Sequence, residues 1–513
     1  MNKLMTHFII VLICTSIISC SNNDDNQIPK SAISKTLTIK NQETLSTNFI
    51  GNGAQWGGYE IMESWTGSDD FNDADWAKLK ERMDFMRPPF IRIMISAGWN
   101  YLDSGDIYNP SKASKAFHRM MQYCTDNNIT VMFGEWGHVF LNGDRNQINY
   151  TWMDYTVDYL DYLINEKGYT CVKYFNMINE PNGDWSTVQG NYDLWKTVTA
   201  EFLSRMETSG IDSMVKLAGP DLAIFGDADD TNWVTKAEND FGAGMGLYEI
   251  HSYATKSLVN GENYLSVLKS FKNAIPADKQ IVVGEIGLKY YDSDIDLQNE
   301  NEARIAADQY ASDDSNMFVY DGFYGVDVSD AIVQTMMAGY SGALIWDVDD
   351  AMYNRDGNQT GDGYKQLKRW GFWNILGEES FESSEDENIR PFFFPVSLLC
   401  RYFPKGSDII EIELPNKKGL KAVAAKKGDK YTIAIVNSNY VTYNDLSLEA
   451  ESSFTFDNVS KYEYISEFEG GYQGLTNDKG FPIPKESSMS VKLNGDYTFN
   501  VPGQSVIILT NMD

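Results

Sequence analysis

Eight short apolar runs, spread through residues 49–385, constrain this chain more than any other feature. They lie at 49–54, 90–95, 130–134, 171–178, 215–218, 246–251, 280–284 and 342–346. Runs of that length suit buried strands better than helices. Longer amphipathic stretches separate several of them, at 75–86, 113–127, 155–167, 192–209 and 305–312. Parallel strands need a crossover, usually a helix, so the alternation implies βα units around a parallel sheet. Eight such units over roughly 340 residues predict an α/β fold, a closed (β/α)8 TIM barrel with insertions. An open doubly wound sheet is the competing arrangement. It would carry a Gly-rich loop leading from the first strand into a helix. Here Gly51-Asn52-Gly53 runs into Ala-Gln-Trp-Gly-Gly, and no amphipathic helix starts there.

The rhythm changes after residue 386. Residues 392–403 read as a last barrel helix, closed by Pro404-Lys405-Gly406. Short alternating strands follow at 409–414, 420–425, 431–436, 461–465, 490–493, 497–501 and 505–509. Turn signals such as Gly428-Asp429 and Asn494-Gly495 separate some of them. This predicts an accessory all-β sandwich. Residues 36–41 also alternate, so a strand within 35–48 is expected to join the sandwich from the other end of the chain. The expected domains are the barrel at 49–385 and the last helix plus sandwich at 386–513.

The first residues carry a separate signal. Lys3 precedes an apolar run at 8–18 that is too short to span a bilayer. It ends in Ile17-Ile18-Ser19-Cys20, followed by Ser21-Asn22-Asn23-Asp24-Asp25. This resembles a bacterial lipobox with the acidic patch of surface lipoproteins of Bacteroides-type bacteria. The resemblance implies a signal peptide at 1–19, lipid on Cys20 and a flexible tether at 20–34. An ordinary signal peptide that happens to contain Cys20 is the alternative. The expected location is the cell surface or outer membrane, with the periplasmic side as second choice. Of five cysteines, Cys124, Cys171 and Cys400 remain, too scattered for a disulfide framework or a zinc site. A net charge of −31 disfavours nucleic acid as a partner.

In a TIM barrel the chemistry sits at the C-terminal ends of the strands. The fourth run ends Ile178-Asn179-Glu180-Pro181, and the seventh ends Val283-Gly284-Glu285-Ile286. Two glutamates delivered from opposite sides of the ring are what cleavage of a glycosidic bond requires. One carboxylic acid protonates the leaving oxygen and the other carboxylate attacks the anomeric carbon. Arg92 lies on the second run, His251-Ser252-Tyr253 ends the sixth, and Trp346 ends the eighth. Each alone has an ordinary structural role open to it; their joint placement carries the argument.

This set resembles the clan A glycoside hydrolases, among them β-xylosidase and glucosylceramidase families with an attached β-sandwich. The resemblance implies that Glu180 is the acid/base and Glu285 the nucleophile. It implies that Arg92 keeps the nucleophile ionised, as a neighbouring positive charge does. Asn179 would bind the sugar 2-hydroxyl, His251 would lie beside the acid/base and Tyr253 would contact the nucleophile. Trp346 would floor the subsite.

Aromatics make up 13% of the chain, with 12 Trp and 30 Tyr. Trp56, Trp136 and His138 are expected to bind substrate, with Trp65, Trp99, Tyr101, Trp185, Tyr290 and Tyr353 as further wall candidates. Glu135 and Asp347 are expected to bind hydroxyls. Glu180 is expected to have a raised pKa, since an acid must hold its proton near neutrality. No cofactor or metal is expected. An acidic stretch at 356–362 starts like a calcium loop, but Leu367 stands where the closing Glu belongs. The expected activity is a retaining hydrolase, a monomer acting on a β-linked glycan, with an endo-β-glucanase first. A non-catalytic glycan-binding barrel is the alternative, and an inverting hydrolase the second.

Overall fold

The computed structural model describes residues 35–59, 71–136, 140–350, 366–467 and 470–513. Eight parallel strands close into a barrel: Gly53–Gln55, Phe90–Ile95, Thr130–Glu135, Val172–Asn176, Lys216–Ile224, Met245–Ala254, Ile281–Leu288 and Ala343–Ile345. The last pairs with the first, so no edge is left open. All eight predicted runs contain or overlap one of these strands. Most are buried along nearly their whole length, because side chains face the barrel interior on one side and the helical layer on the other.

Phe90, Met132, Ala218, Leu247, Val282 and Leu344 point inward and form an apolar plug in the lower barrel. Above it the inward positions turn polar. Glu249, His251 and Tyr253 share one face of the sixth strand, two residues apart. Helix ends follow local chemistry. Asn72 and Asp75 form a capping box for the helix Asp73–Met86, and Gly210, at φ +77°, ends the helix Tyr192–Ser209. The stretch expected to be helical at 305–312 is helical earlier, at Ile295–Ala307.

The accessory domain is a single hydrogen-bonded sheet of ten strands. Strand Thr36–Ser46 pairs antiparallel with Asp408–Glu413 and parallel with Tyr443–Ala450, tying the two parts together. The sheet curls around a core of its own that includes Ile433, Ile435, Ile507 and Leu509. The alternate residues Ala434, Val436, Val506 and Ile508 belong to the barrel's core. Its central strands are therefore buried on both faces.

Helix Gly322–Met337 packs between the seventh barrel strand and this sheet. Nearly every residue of it is buried, so it shows no amphipathic stripe and escapes a search for helical periodicity. Its buried Asp327 is matched by Lys256 and by the Asn260 amide at 3.0 Å. The Tyr464 hydroxyl donates to the Gly322 carbonyl at 2.7 Å. Cys124, Cys171 and Cys400 are free and buried. Among the described residues no helix is long and apolar enough to cross a membrane.

Candidate active site

The site is built around Arg92, which is fully buried near the barrel axis. Its Nη1 donates to Gln55 Oε1 at 2.7 Å and to Glu285. Its Nη2 donates to Asn179 Oδ1 at 3.0 Å and Asp221 Oδ2 at 3.3 Å. Its Nε lies 3.6 Å from Glu249. One guanidinium thus touches side chains from the first, fifth, sixth and seventh strands and from the loop after the fourth. Gly134 leaves it room: a Cβ there would stand 3.0 Å from Nη2 and 2.7 Å from the Met94 sulfur.

Two bulges aim the carboxylates. On the seventh strand the register slips by one residue between Val283 and Glu285 against the sixth. Gly284 is the extra residue, and a Cβ there would meet Glu249 Oε1 at 1.6 Å. Without a side chain at 284, Glu285 comes level with His251. On the fifth strand the register slips between Pro220 and Leu222, so Asp221 is the extra residue, with a left-handed φ of +66°. Glu180 is also left-handed, at φ +48°, and its backbone N–H donates to Asp221 Oδ2 at 3.3 Å. Backbone in this region costs a non-glycine residue about 1 kcal/mol or more and persists only where its surroundings hold it.

A carboxylate oxygen of Glu180 and one of Glu285 lie within 4.8 Å of each other, with a ring nitrogen of His251 inside the same distance of both. Both glutamates line one cavity of about 390 Å³, together with Trp136, Asn179, Tyr253 and Trp346. The Tyr253 hydroxyl donates to Glu285 Oε2 at 2.7 Å. Burial and the charge of Glu285 hold that hydroxyl far above its ordinary pKa, so it stays a donor. His251 Nδ1 is 3.0 Å from Glu180 Oε1 and 3.5 Å from Glu285 Oε2. The Trp185 indole donates to Glu180 Oε2 at 2.8 Å. A Cβ on Gly183 would meet the Trp185 ring at 2.3 Å, so that glycine lets the indole fold back over the acid.

The charge states differ from expectation in one respect. Burial pushes the Glu180 carboxyl up, but the hydrogen bond and charge of His251 and the Trp185 donor outweigh it and hold its pKa below the ordinary value. Burial works against a charged His251, yet Asp221 and Glu285 together hold its proton well above the ordinary imidazole range. Asp221 is pulled down, against its burial, by His251 and Arg92. Glu249 is raised to about 7 by burial and by the charge of Asp221. The raised pKa expected of Glu180 is therefore not found, because His251 and the Trp185 indole favour its carboxylate.

Arg92, Asn179, Glu180, His251, Tyr253, Glu285, Trp136 and Trp346 converge on this cavity or its inner wall. Trp56 does not. Its ring is buried in the helical layer, 6.2 Å from Trp76 and 5.8 Å from Tyr123, with its indole donating to the Tyr59 hydroxyl at 3.2 Å. It is a core residue because the end of the short first strand turns that side chain away from the axis. Tyr101 and Tyr290 are likewise buried, while Trp99 meets Trp136 edge-on at 5.9 Å. His138, Trp65, Tyr353 and the stretch 356–362 lie outside the described residues.

Glu135 and Asp347 are buried and do not reach the cavity wall, so neither is placed to bind a sugar hydroxyl. Glu135 accepts from the Tyr101 hydroxyl at 3.0 Å and the Ala97 N–H at 3.2 Å. Sequence reasoning missed Asp221, Glu249, Gln55, Phe225, Lys289, Asp314, Lys368 and Trp370. Glu249 was detectable, since it stands two residues before His251 on the same strand face. Gly219-Pro220 was the one sign of an irregular fifth strand.

Two carboxylates facing each other across one cavity, with an arginine behind them on a TIM barrel, define the class as a two-carboxylate glycoside hydrolase. Residues 50–322, more than half of the chain, match the family cellulase (glycosyl hydrolase family 5). The chain belongs to that family and is a glycosidase, which decides against a non-catalytic binding barrel. Solved structures share the fold at low identity. A conserved exported protein from Bacteroides fragilis is 12% identical, with TM-score 0.61 over 93% of this chain and 100% of its own. A GH30 endoxylanase from Clostridium papyrosolvens C71 is 12% identical, with TM-score 0.57 over 93% and 99%. A monomeric β-xylosidase from Caulobacter crescentus CB15 is 11% identical, with TM-score 0.55 over 93% and 99%. No curated protein matches the sequence.

Burial raises the Glu135 carboxyl to about 8, against the Tyr101 and Ala97 donors that lower it. An unfolded Glu titrates near 4.3, roughly. The folded protein then holds a proton that the unfolded chain has lost, so this residue makes stability fall as pH rises between those values. The slope from one proton is at most about 1.4 kcal/mol per pH unit. Thermal unfolding from pH 5 to 8 should show a shallower decline in Glu135→Gln than in the wild type. Parallel curves would contradict the assignment.

Proposed function

We propose that this glycosidase is a retaining enzyme that cleaves a β-linked polysaccharide or oligosaccharide by double displacement. Glu285 is the nucleophile and Glu180 the acid/base. The observation that carries the reading is the approach of the two carboxylates within 4.8 Å across one cavity. A retaining site needs carboxyl groups about 5–5.5 Å apart, whereas an inverting one leaves about 6.5–9.5 Å for a water. Arg92 and the Tyr253 hydroxyl both donate to Glu285, which aims it. Asn179 is held by Arg92 on the cavity wall, where it suits a sugar hydroxyl.

The leaving group must come within reach of Glu180. Trp185 and Phe225, 53% and 49% exposed, stand at that end of the cavity and suit a sugar ring. Trp136 also lines a second cavity of about 600 Å³ bounded by Ala97, Leu102, Leu141 and Trp152. A second cavity meeting the first at Trp136 supports internal cutting of a polymer. The family description supports a β-glucan as the first substrate. The protein acts as a lipid-anchored enzyme at the cell surface, a reading that rests on the sequence around Cys20.

Against a panel of β-glucans, xylans and mannans, new reducing ends should appear first with a β-glucan. Glu285→Ala should lose nearly all turnover, and azide or formate should restore part of it by attacking in place of the missing carboxylate. Full activity in that variant would refute the nucleophile. Radiolabelled palmitate should label the protein in cells, and Cys20→Ser should abolish the label; a labelled variant would contradict the anchor.

A further inference from the structure

We propose that Asp221 is the positioning residue that fixes where the site's transferable proton rests: it keeps that proton on His251, which passes it to Glu180 as Glu180 protonates the leaving oxygen. The inference rests on Glu180 being the acid/base. His251 lies between two carboxylates, with Nε2 2.6 Å from Asp221 Oδ1 and Nδ1 3.0 Å from Glu180 Oε1. An imidazolium offers an N–H to each side, whereas a neutral ring turns a lone pair toward one of them. His251 Nε2 faces Asp221 as an ion pair rather than an aligned hydrogen bond, and two arrangements satisfy the aligned contact to Glu180. In one, His251 is charged and Glu180 is a carboxylate. In the other, His251 is neutral and Glu180 is a carboxylic acid donating to Nδ1. They differ by one proton moved along a single 3.0 Å contact, and the net charge of the cluster is the same in both.

Among the described residues, five charged groups face the ring. Glu180 follows the fourth strand, and Glu285 at 3.5 Å and Glu249 at 3.8 Å stand on the seventh and sixth. Arg92, on the second strand, opposes a charge on His251. Asp221 makes the closest of these contacts and is fully buried. Its second oxygen accepts from the Glu180 backbone and from Arg92, so one side chain fixes the imidazole, the acid and the arginine together. A bulge in the fifth strand presents it to all three. The low pKa of Glu180 and the high pKa of His251 describe the first arrangement as the resting one.

The proton accounting closes over a full turnover. His251 Nδ1 gives its proton to Glu180 Oε1, and Glu180 gives one to the glycosidic oxygen. The bond from that oxygen to the anomeric carbon breaks, its electron pair staying with the oxygen, and Glu285 bonds to the carbon. In the second half a water gives a proton to Glu180 as its oxygen attacks the carbon. Glu285 leaves with its electron pair, and the proton returns to His251.

The test is histidine-selective 15N NMR of the full chain, which has only 4 histidines, with His251 assigned by its loss in His251→Gln. Wild-type His251 should remain an imidazolium from pH 6 to 8. In Asp221→Asn its proton affinity should drop at least about tenfold, and the alkaline limb of the activity profile should move to lower pH. A wild-type His251 that titrates in the ordinary range overturns the proposal without any variant, so a poorly folding Asp221→Asn does not shelter it. An unchanged titration in Asp221→Asn overturns it as well. Failure of the acid/base reading would show separately, as full turnover in Glu180→Gln with the histidine titration unchanged.

Discussion

A guanidinium sealed from water in the middle of a barrel must be answered by charge, and the site is the form that answer takes. Arg92 stands one layer above an apolar plug and draws Gln55, Asn179, Asp221, Glu249 and Glu285 around itself. A buried charge lacking such partners would cost several kcal/mol, roughly. Each partner is in turn held by Arg92 in a fixed orientation. Catalytic groups work only when held to fractions of an ångström, and the same ion pairing that makes the arginine tolerable supplies that rigidity.

The carboxylates cannot all carry a charge at once in so small a space. Asp221 takes an ionised role beside Arg92 and His251, and Glu249 is pushed toward neutrality. Glu180 is held as a carboxylate by two donors, His251 and Trp185, and each faces the side from which a substrate or a proton must come. Proton placement across the site is thus a collective property of the buried charges rather than of one residue's surroundings.

Much of this was legible in the sequence, and the parts that were not have a common cause. Strand ends can be read from apolar runs, and in a barrel they point to one mouth, so Arg92, Asn179, Glu180, His251, Tyr253, Glu285 and Trp346 could be placed together. Asp221 could not, because a bulge breaks the two-residue period on which facing is judged. The same limit explains Trp56: it ends a strand, but a three-residue strand leaves no pattern from which to tell inside from outside. Helix Gly322–Met337 was obscured by burial on every side, which erases the contrast that periodicity needs. The accessory sheet shares one core with the barrel, which fits a bracing role for it.

The account stands on a covalent bond between a sugar and Glu285. A 2-deoxy-2-fluoro glycoside with a good leaving group slows release of the glycosyl-enzyme enough to isolate it. After digestion, mass spectrometry should find the sugar's mass on the peptide that carries Glu285 and on no other. A label on a different carboxylate, or turnover of a cleaved substrate with no covalent adduct and an inverted first product, would contradict the mechanism at its root.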